Sequence, residues 1–174
     1  MTKIVEARCC VLIVVVLILL RVQIVPCISA NMRLLQVNIQ SLNTSLQCLR
    51  YAMQSLQIDI AALQEIWHPA DESIHIKDYG APIMKMRTGR EGGGVAIYTK
   101  NCVKKVHLKH YDVNGLEAVW ADVMVDKCRF VVGSVYIVPG DITALNLLDS
   151  TIEQILREHS RLIIAMDSNS RHVV

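Results

Sequence analysis

The chain has 174 residues, a net charge of +2 and a hydrophobic content of 52%, part of which comes from one apolar run near the N-terminus. This length predicts a single domain. The small net charge argues against a broad basic surface for nucleic acid, but it does not exclude a local basic groove. The six cysteines show no CxxC spacing and the six histidines form no HxxxH or Cys/His set, which argues against a disulfide framework and a zinc site.

Residues 1–31 form a hydrophobic N-terminal segment that differs in composition from the rest of the chain. Lys3 and Arg8 precede an apolar run over residues 9–20, which is short for a membrane-spanning helix and suits the core of a signal peptide. Three interpretations stay open: a cleaved signal peptide, a membrane anchor with Arg21 at the interface, and sequence that is not native to the domain. A membrane partner follows only from the anchor. The domain itself predicts an intracellular or nuclear protein, whereas this segment would make it secretory or membrane-bound.

From Met32 onward, the apolar periodicity predicts alternating strands and helices, and we place the domain at residues 32–174. A strand over residues 33–39 is followed by a helix, for which Thr44 or Ser45 is the expected N-cap. The apolar stripe of this helix consists of Leu46, Leu49, Met53 and Leu56. The next strand is predicted over residues 58–65.

The remaining elements are five strands and one helix. The strands are predicted within residues 81–86, 95–99, 116–125, 128–138 and 161–169. Asp126 and Lys127 form a short hairpin connection between the two long strands. The helix carries Leu145, Leu148, Ile152 and Ile155 on one face. Hairpins combined with outer helices predict an α/β protein built as a layered sandwich.

Several predicted strands end in polar residues that suit metal and phosphate chemistry, namely Asn38, Glu65, Tyr136, Asp167 and Asn169. Asp167 and Asn169 are two residues apart, so they share a face at the carboxyl end of a buried strand, where ligands commonly bind. An Asp can deprotonate a water that an Asn orients. A strand-end carboxylate can hold Mg²⁺, and a Tyr hydroxyl can donate to a phosphate. Each residue alone also has an ordinary explanation as a turn, a surface charge or a core aromatic residue.

Weaker candidates lie around the glycine turn at residues 92–94. Arg87 and Arg90 flank this turn and could contact a nucleic-acid backbone, with a solvated loop as the alternative. The turn is not a phosphate-binding loop, because no Gly-Lys-Ser/Thr follows it and a strand comes next. Trp67 either lines the groove or packs at its rim. His172, just after the last strand, is a candidate DNA contact but not a catalytic base.

Five motifs resemble, in this order, the endonuclease/exonuclease/phosphatase superfamily: LLQVNIQSL, ALQEIW, GGGVAIYTK, VGSVYIVPG and LIIAMDSNS. That superfamily includes deoxyribonuclease I and the apurinic/apyrimidinic endonucleases, and the chain is most similar to the endonuclease domain of LINE-type (non-LTR) retrotransposons. The resemblance covers residues 32–174. It implies a four-layer α/β sandwich and Mg²⁺-dependent cleavage of DNA, with Mn²⁺ as an alternative ion. It also implies a reverse transcriptase domain as a partner within a full-length polyprotein.

The resemblance further implies roles for individual residues. Asn38 and Glu65 match the metal-binding pair, and Tyr136 matches the residue that steadies the phosphate. Asp167 matches the residue that activates the attacking water, and Asn169 the one that orients it.

The sequence departs from the family pattern in two ways. Gln40 stands where some relatives carry a second acid, which puts a second metal site in doubt. The family carries further strands and a late Asp-His pair beyond the point that corresponds to Val174. We therefore expect a sandwich that is incomplete at the C-terminus and a chain with weak activity or none. The alternatives are another phosphoesterase of the same fold, acting on phosphoinositides or sphingolipids, and a non-enzymatic fragment.

Overall fold

The computed structural model describes residues 11–15, 23–26, 32–68, 74–87 and 92–168, the first two stretches by their backbone. Within these ranges the chain forms strands and two α-helices. The strands are β1 (Val11–Val15), β2 (Gln23–Pro26), β3 (Arg33–Asn38), β4 (Ile60–Gln64), β5 (Ile83–Lys85), β6 (Val95–Thr99), β7 (Lys104–His107), β8 (Glu117–Val125), β9 (Cys128–Tyr136) and β10 (Leu162–Asp167). The helices are α1 (Leu42–Ser55) and α2 (Ile142–Glu158). In the described part of the chain, no helix is both long and apolar enough to cross a membrane.

The strands form two mixed five-stranded sheets. One sheet has the order β1-β10-β9-β8-β7, and the other has the order β2-β3-β4-β6-β5. The β9–β10 and β3–β4 pairs are parallel, while the β8–β9 and β4–β6 pairs are antiparallel. The predicted α/β class is therefore confirmed, and the mixed pairing explains why long hairpin strands and crossover helices occur in one domain.

Three apolar clusters show that the sheets and helices stack in four layers. The first cluster lies between the two sheets and joins residues such as Leu34 and Ile60 to Val119 and Ile163. The second packs α2 against the outer face of one sheet, and the third packs α1 against the outer face of the other. Because neighbouring strand residues alternate faces, a central strand needs apolar residues at almost every position. This requirement accounts for the unbroken apolar runs, and the predicted sandwich is confirmed.

The start of α1 differs from the sequence prediction. The helix begins at Leu42, with Ser41 as N-cap residue, and not after Thr44 or Ser45. Ser41 has a φ of 90° and makes no side-chain capping bond. Its amide instead donates to the Glu65 carbonyl at 2.9 Å, and the Leu42 amide donates to the Ile66 carbonyl at 2.7 Å. Backbone groups from the end of β4 therefore satisfy amides at the helix start, a task that a capping side chain usually performs.

Some elements were not predicted. β7 is an edge strand with the sequence KKVH, in which the one apolar residue, Val106, is exposed, so it lacks an apolar pattern that a sequence search would detect. β1 and β2 lie within the N-terminal segment, where β1 pairs with β10 and β2 pairs with β3. The domain boundary at residue 32 and the three interpretations of residues 1–31 stay predictions.

Candidate active site

Polar side chains from both sheets meet at one edge of the sandwich. In the first sheet, Asp167, Tyr136 and Glu117 lie side by side on three neighbouring strands. In the second sheet, Asn38 at the end of β3 is level with Gln64 at the end of β4. β8 runs antiparallel to β9, so its first residue reaches the same edge as the last residues of its neighbours. The strand ends therefore form one polar rim.

A hydrogen bond between the two sheets closes this rim. Asn38 Nδ2 donates to Asp167 Oδ2 at 2.6 Å, across 129 residues of sequence. The other amide atom, Asn38 Oδ1, is buried and has no hydrogen-bond partner. A buried amide oxygen without a partner is costly, and proteins usually satisfy such atoms with another group, a water or an ion. Asn38 is therefore oriented by Asp167 in a way that leaves an oxygen free to bind a ligand.

Glu65 enters the site because the backbone turns at the end of β4. Strand alternation would send consecutive side chains to opposite faces, and Gln64 already points between the sheets. Glu65 has a φ of 57°, in the left-handed region that residues other than glycine rarely adopt. This turn interrupts the strand alternation. The Glu65 side chain lies inside the site, and the residue is 8% exposed. Strained backbone conformations cluster at functional sites, although they also occur in turns such as Asp126-Lys127.

The Glu65 carboxylate is surrounded by donors. Its Oε2 accepts hydrogen bonds from Trp67 Nε1 and from the Gly93 amide, the latter at 3.2 Å. Its Oε1 lies 3.9 Å from Arg87 Nη2, and Tyr136 also hydrogen-bonds to this carboxylate. The negative charge is thus held in place by neighbours from three separate segments of the chain.

Arg87 lies within the site instead of projecting into solvent. Its Nε donates to Glu117 Oε2 at 2.7 Å, and its Cζ lies 5.0 Å from the centre of the Tyr136 ring. Burial acts to lower the pKa of Arg87, but the hydrogen bond and charge of Glu117 prevail and raise it. Arg87 is therefore a fixed cation between Glu65, Glu117 and Tyr136, and its predicted contact with substrate stays a prediction.

Tyr136 is a protonated donor at neutral pH. Burial raises the pKa of its hydroxyl to about 12, with further contributions from the hydrogen bond and charge of Glu65, while Arg87 acts in the opposite direction. A phenol in this state can donate a hydrogen bond to an anionic group, such as a phosphate oxygen, without first losing its proton.

A second polar layer lies directly beneath the rim. Gln36 Nε2 donates to Gln64 Oε1 at 2.8 Å, and Gln64 Nε2 donates to Ser134 Oγ at 2.9 Å and to the Ala165 carbonyl at 3.2 Å. These side chains are buried and connect strands from both sheets. Because these hydrogen bonds join strands of the two sheets, the layer fixes how the two halves of the rim face each other.

A recess opens beside Tyr136. It has a volume of about 210 Å³ and is lined by Lys85, Arg87, Glu117, Tyr136, Asp141 and Ala144, among others. The Lys85 ammonium is directed at the wall, where it donates to the Val113 and Leu116 carbonyls, each at 2.7 Å. Of the charged groups at the recess, Arg87 and Glu117 are already bonded to each other.

The structure brings together four of the predicted catalytic residues: Asn38, Glu65, Tyr136 and Asp167. The predicted residues Asn169, Arg90 and His172 lie outside the described residues. Sequence reasoning missed Glu117 as a member of the site, although the hairpin provided the signal. Counting equally far from the Asp126-Lys127 turn in both directions reaches Glu117 and Tyr136, which pair across the hairpin.

Two facing sheets flanked by helices, with a polar rim of acids, an amide and a phenol, define the class of deoxyribonuclease I-like α/β sandwiches. The model of the Endonuclease/Exonuclease/phosphatase family matches residues 29–171. The chain belongs to this family. A search of curated proteins gives no match.

Solved structures show the same fold. The chain is similar to the endonuclease domain of TRAS1, a telomere-specific non-LTR retrotransposon, with 17% identity and a TM-score of 0.64 over 81% of this chain and 60% of that one. It is also similar to the human Nocturnin catalytic domain, with 15% identity and a TM-score of 0.60 over 82% of this chain and 65% of that one. The Xenopus laevis APE2 catalytic domain gives 19% identity and a TM-score of 0.60 over 78% of this chain and 57% of that one. The chain thus spans less than two thirds of the length of each of these structures, and the likeness establishes the fold.

Proposed function

We propose that this chain carries the site of a divalent-metal-dependent endonuclease that hydrolyses phosphodiester bonds in DNA. The observation that carries the proposal is the hydrogen bond between Asn38 and Asp167, which joins the two sheets at the rim that also holds Glu65 and Tyr136. Such a rim combines a base that can deprotonate a water, a hydrogen-bond donor for a phosphate oxygen, and oxygen ligands for a cation.

The oxygens at the rim fit a metal such as Mg²⁺. Hard cations prefer carboxylate and amide oxygens, and Mg²⁺ commonly takes only one or two carboxylates and completes its shell with water and phosphate. Asn38 Oδ1 is a buried oxygen without a partner, and the Glu65 and Asp167 carboxylates are the nearby acids at the rim. Among the described residues, no group of three or more His, Cys, Asp or Glu side chains is placed to hold a metal ion. Asn38 and Glu65 are the proposed ligands, with Mn²⁺ as an alternative ion to Mg²⁺.

The remaining residues have separate tasks in this proposal. Asp167 accepts a proton from the attacking water, which Asn169 orients. The protonated Tyr136 hydroxyl donates to a non-bridging phosphate oxygen, where negative charge builds up during attack. Arg87 holds Tyr136 and Glu65 in position. The metal would neutralise charge on the phosphate and on the leaving oxygen.

DNA as the substrate, and a retrotransposon origin, are supported by the family and by the five motifs. One similar structure is an endonuclease domain of a retrotransposon, and another, a 3′ phosphatase from Neisseria, is bound to a product DNA hairpin. The Neisseria structure is similar over 75% of this chain at 19% identity, with a TM-score of 0.54. A reverse transcriptase domain in a full-length polyprotein is part of the same proposal.

The test is a nicking assay on supercoiled plasmid with the purified chain, with and without Mg²⁺. We expect at most weak nicking, which requires the metal and falls by about 10²- to 10⁴-fold in Asp167→Ala, the usual loss when an acid–base group is removed. Asp149→Ala, which removes an exposed carboxylate on α2, is the matched control and should nick at the wild-type rate. The same assay measures whether the nicking rate is as low as the resemblance to the family predicts.

A parallel Mn²⁺ titration tests the metal ligands without requiring turnover. Binding should weaken in Glu65→Ala and in Asn38→Ala but not in Asp149→Ala. Nicking that is the same in Asp167→Ala and wild type would refute the proposed mechanism, and cleavage of a phosphoinositide but not of plasmid would favour the other phosphoesterases of the fold.

A further inference from the structure

Trp67 is a large aromatic residue that is half exposed and yet fixed in place. It is 48% exposed, whereas the other tryptophan, Trp120, is fully buried. Its backbone amide donates to the Gly93 carbonyl at 2.9 Å, and its indole Nε1 donates to Glu65 Oε2. Tryptophan side chains are highly buried on average, so an open and immobilised ring needs an explanation.

The glycine turn lies against the Nε1 edge of the indole. A Cβ atom at Gly92 would lie 3.1 Å from Trp67 Nε1, with Cδ1 and Cε2 as the next nearest atoms. These atoms lie on the Nε1 edge of the indole, and the residue as a whole remains 48% exposed. An open aromatic surface therefore lies close to the candidate catalytic Glu65.

From this arrangement we infer that Trp67 is a stacking platform for one nucleobase of the strand that is bound at the site. The inference rests on the proposed function and adds to it a base-binding subsite. Aromatic side chains bind bases in this way because every base has a π-face, and the contact tolerates any sequence. A ring that is already fixed loses little conformational freedom when a base stacks on it. Its Nε1 bond to Glu65 places the ring beside the proposed active site.

Binding measured in EDTA separates this inference from catalysis. The chain is labelled with 5-fluorotryptophan, and its two ¹⁹F signals are assigned with Trp67→Phe. Adding an oligothymidylate should shift the Trp67 signal and leave the Trp120 signal in place. An abasic oligomer of the same length, which has the phosphates but no bases, should bind more weakly and leave the Trp67 signal in place.

Two substitutions distinguish stacking from an effect through Glu65. Trp67→Phe and Trp67→Leu both remove the Nε1 donor, but only the phenylalanine keeps an aromatic face. We expect Trp67→Leu to weaken oligothymidylate binding by about 5- to 150-fold, which corresponds to the ~1–3 kcal/mol that stacking contributes per base. Trp67→Phe should retain most of the affinity. Tyr51→Leu, which removes an exposed aromatic residue from α1, is the matched control and should not change it.

Three results would overturn the inference: an unmoved Trp67 signal, equal binding of the abasic oligomer, or equal losses in Trp67→Phe and Trp67→Leu. A shift of the Trp67 signal by a second copy of the chain or by another protein, in place of the oligonucleotide, would assign the ring to a protein interface. Failure of plasmid nicking with an intact Trp67 response would refute the proposed activity but leave the base subsite standing. Plasmid nicking without a shift of the Trp67 signal would support the proposed activity and refute the base subsite.

Discussion

Gly93→Ala is the substitution that most directly tests how Arg87 is placed. Gly93 has a φ of +70°, and a Cβ atom there would lie 2.4 Å from both Cζ and Nε of Arg87. The guanidinium would have to move away and would lose its 2.7 Å bond to Glu117. Glycine is therefore required at position 93 for two reasons: the positive φ, and the space that the Arg87 guanidinium occupies.

The expected cost follows from these two effects. A residue other than glycine in the left-handed region costs about 1–2 kcal/mol. Loss of a hydrogen bond between charged groups costs about 1.5–3 kcal/mol more. Gly93→Ala should therefore lower the free energy of unfolding by roughly 2.5–5 kcal/mol.

Gly140→Ala is the matched control, since Gly140 has a φ of +79° and a Cβ atom added there would meet nothing within 4 Å. It should show the backbone effect alone, about 1–2 kcal/mol. Urea denaturation of the full chain measures both variants. In an Arg87→Met background, the two glycine substitutions should cost the same amount. Equal costs in the wild-type background, or a difference that persists without Arg87, would refute the placement of the guanidinium against Gly93.

Two further predictions concern the polar layer and the buried phenols. Gln64→Leu should destabilise the domain by roughly 1–3 kcal/mol, as measured by urea denaturation, because it leaves the buried Gln36 amide without its acceptor, whereas Ser134 keeps its bond to the Leu63 carbonyl. An exposed glutamine, Gln54→Leu, should cost far less. Burial raises the pKa values of Tyr79, Tyr98 and Tyr136 to about 12. The folded state therefore binds these protons more tightly than the unfolded state, so the corresponding stability is fully present below about pH 10 and is lost as the pH rises towards 12. A urea midpoint that stays constant from pH 9 to 12 would contradict this expectation.

Local patterns were sufficient to predict most of the element types. They also contain the signal that pairs Glu117 with Tyr136 across the hairpin. Apolar periodicity predicted α2, which Asp141 caps by accepting a hydrogen bond from the Ala144 amide. The hairpin at Asp126 and Lys127, both with positive φ, sets the β8–β9 register by counting alone. Register in a hairpin depends on neighbours in sequence, so it can be derived without the fold.

The start of α1 could not be derived in the same way. Serine and threonine are good capping residues, which is why the sequence predicts a helix start at Thr44 or Ser45. The amides of Ser41 and Leu42 find acceptors just beyond the end of β4, and those acceptors are in place only once β3 and β4 have paired. Local propensity was thus overruled by a tertiary contact.

The sequence by itself determined which residue types stand at the ends of the strands, and through the family motifs it determined the sandwich. Only the tertiary structure decided how these residues face each other. The contact of Asn38 with Asp167 depends on how two separate sheets pack, and the contacts of Arg87 with Glu117 and Tyr136 depend on where an irregular segment crosses the rim. The inward placement of Glu65 depends on a left-handed turn that strand alternation would not predict. Alternation and register are local and can be counted along the chain, whereas the distance between groups on different sheets is set by packing between elements far apart in sequence.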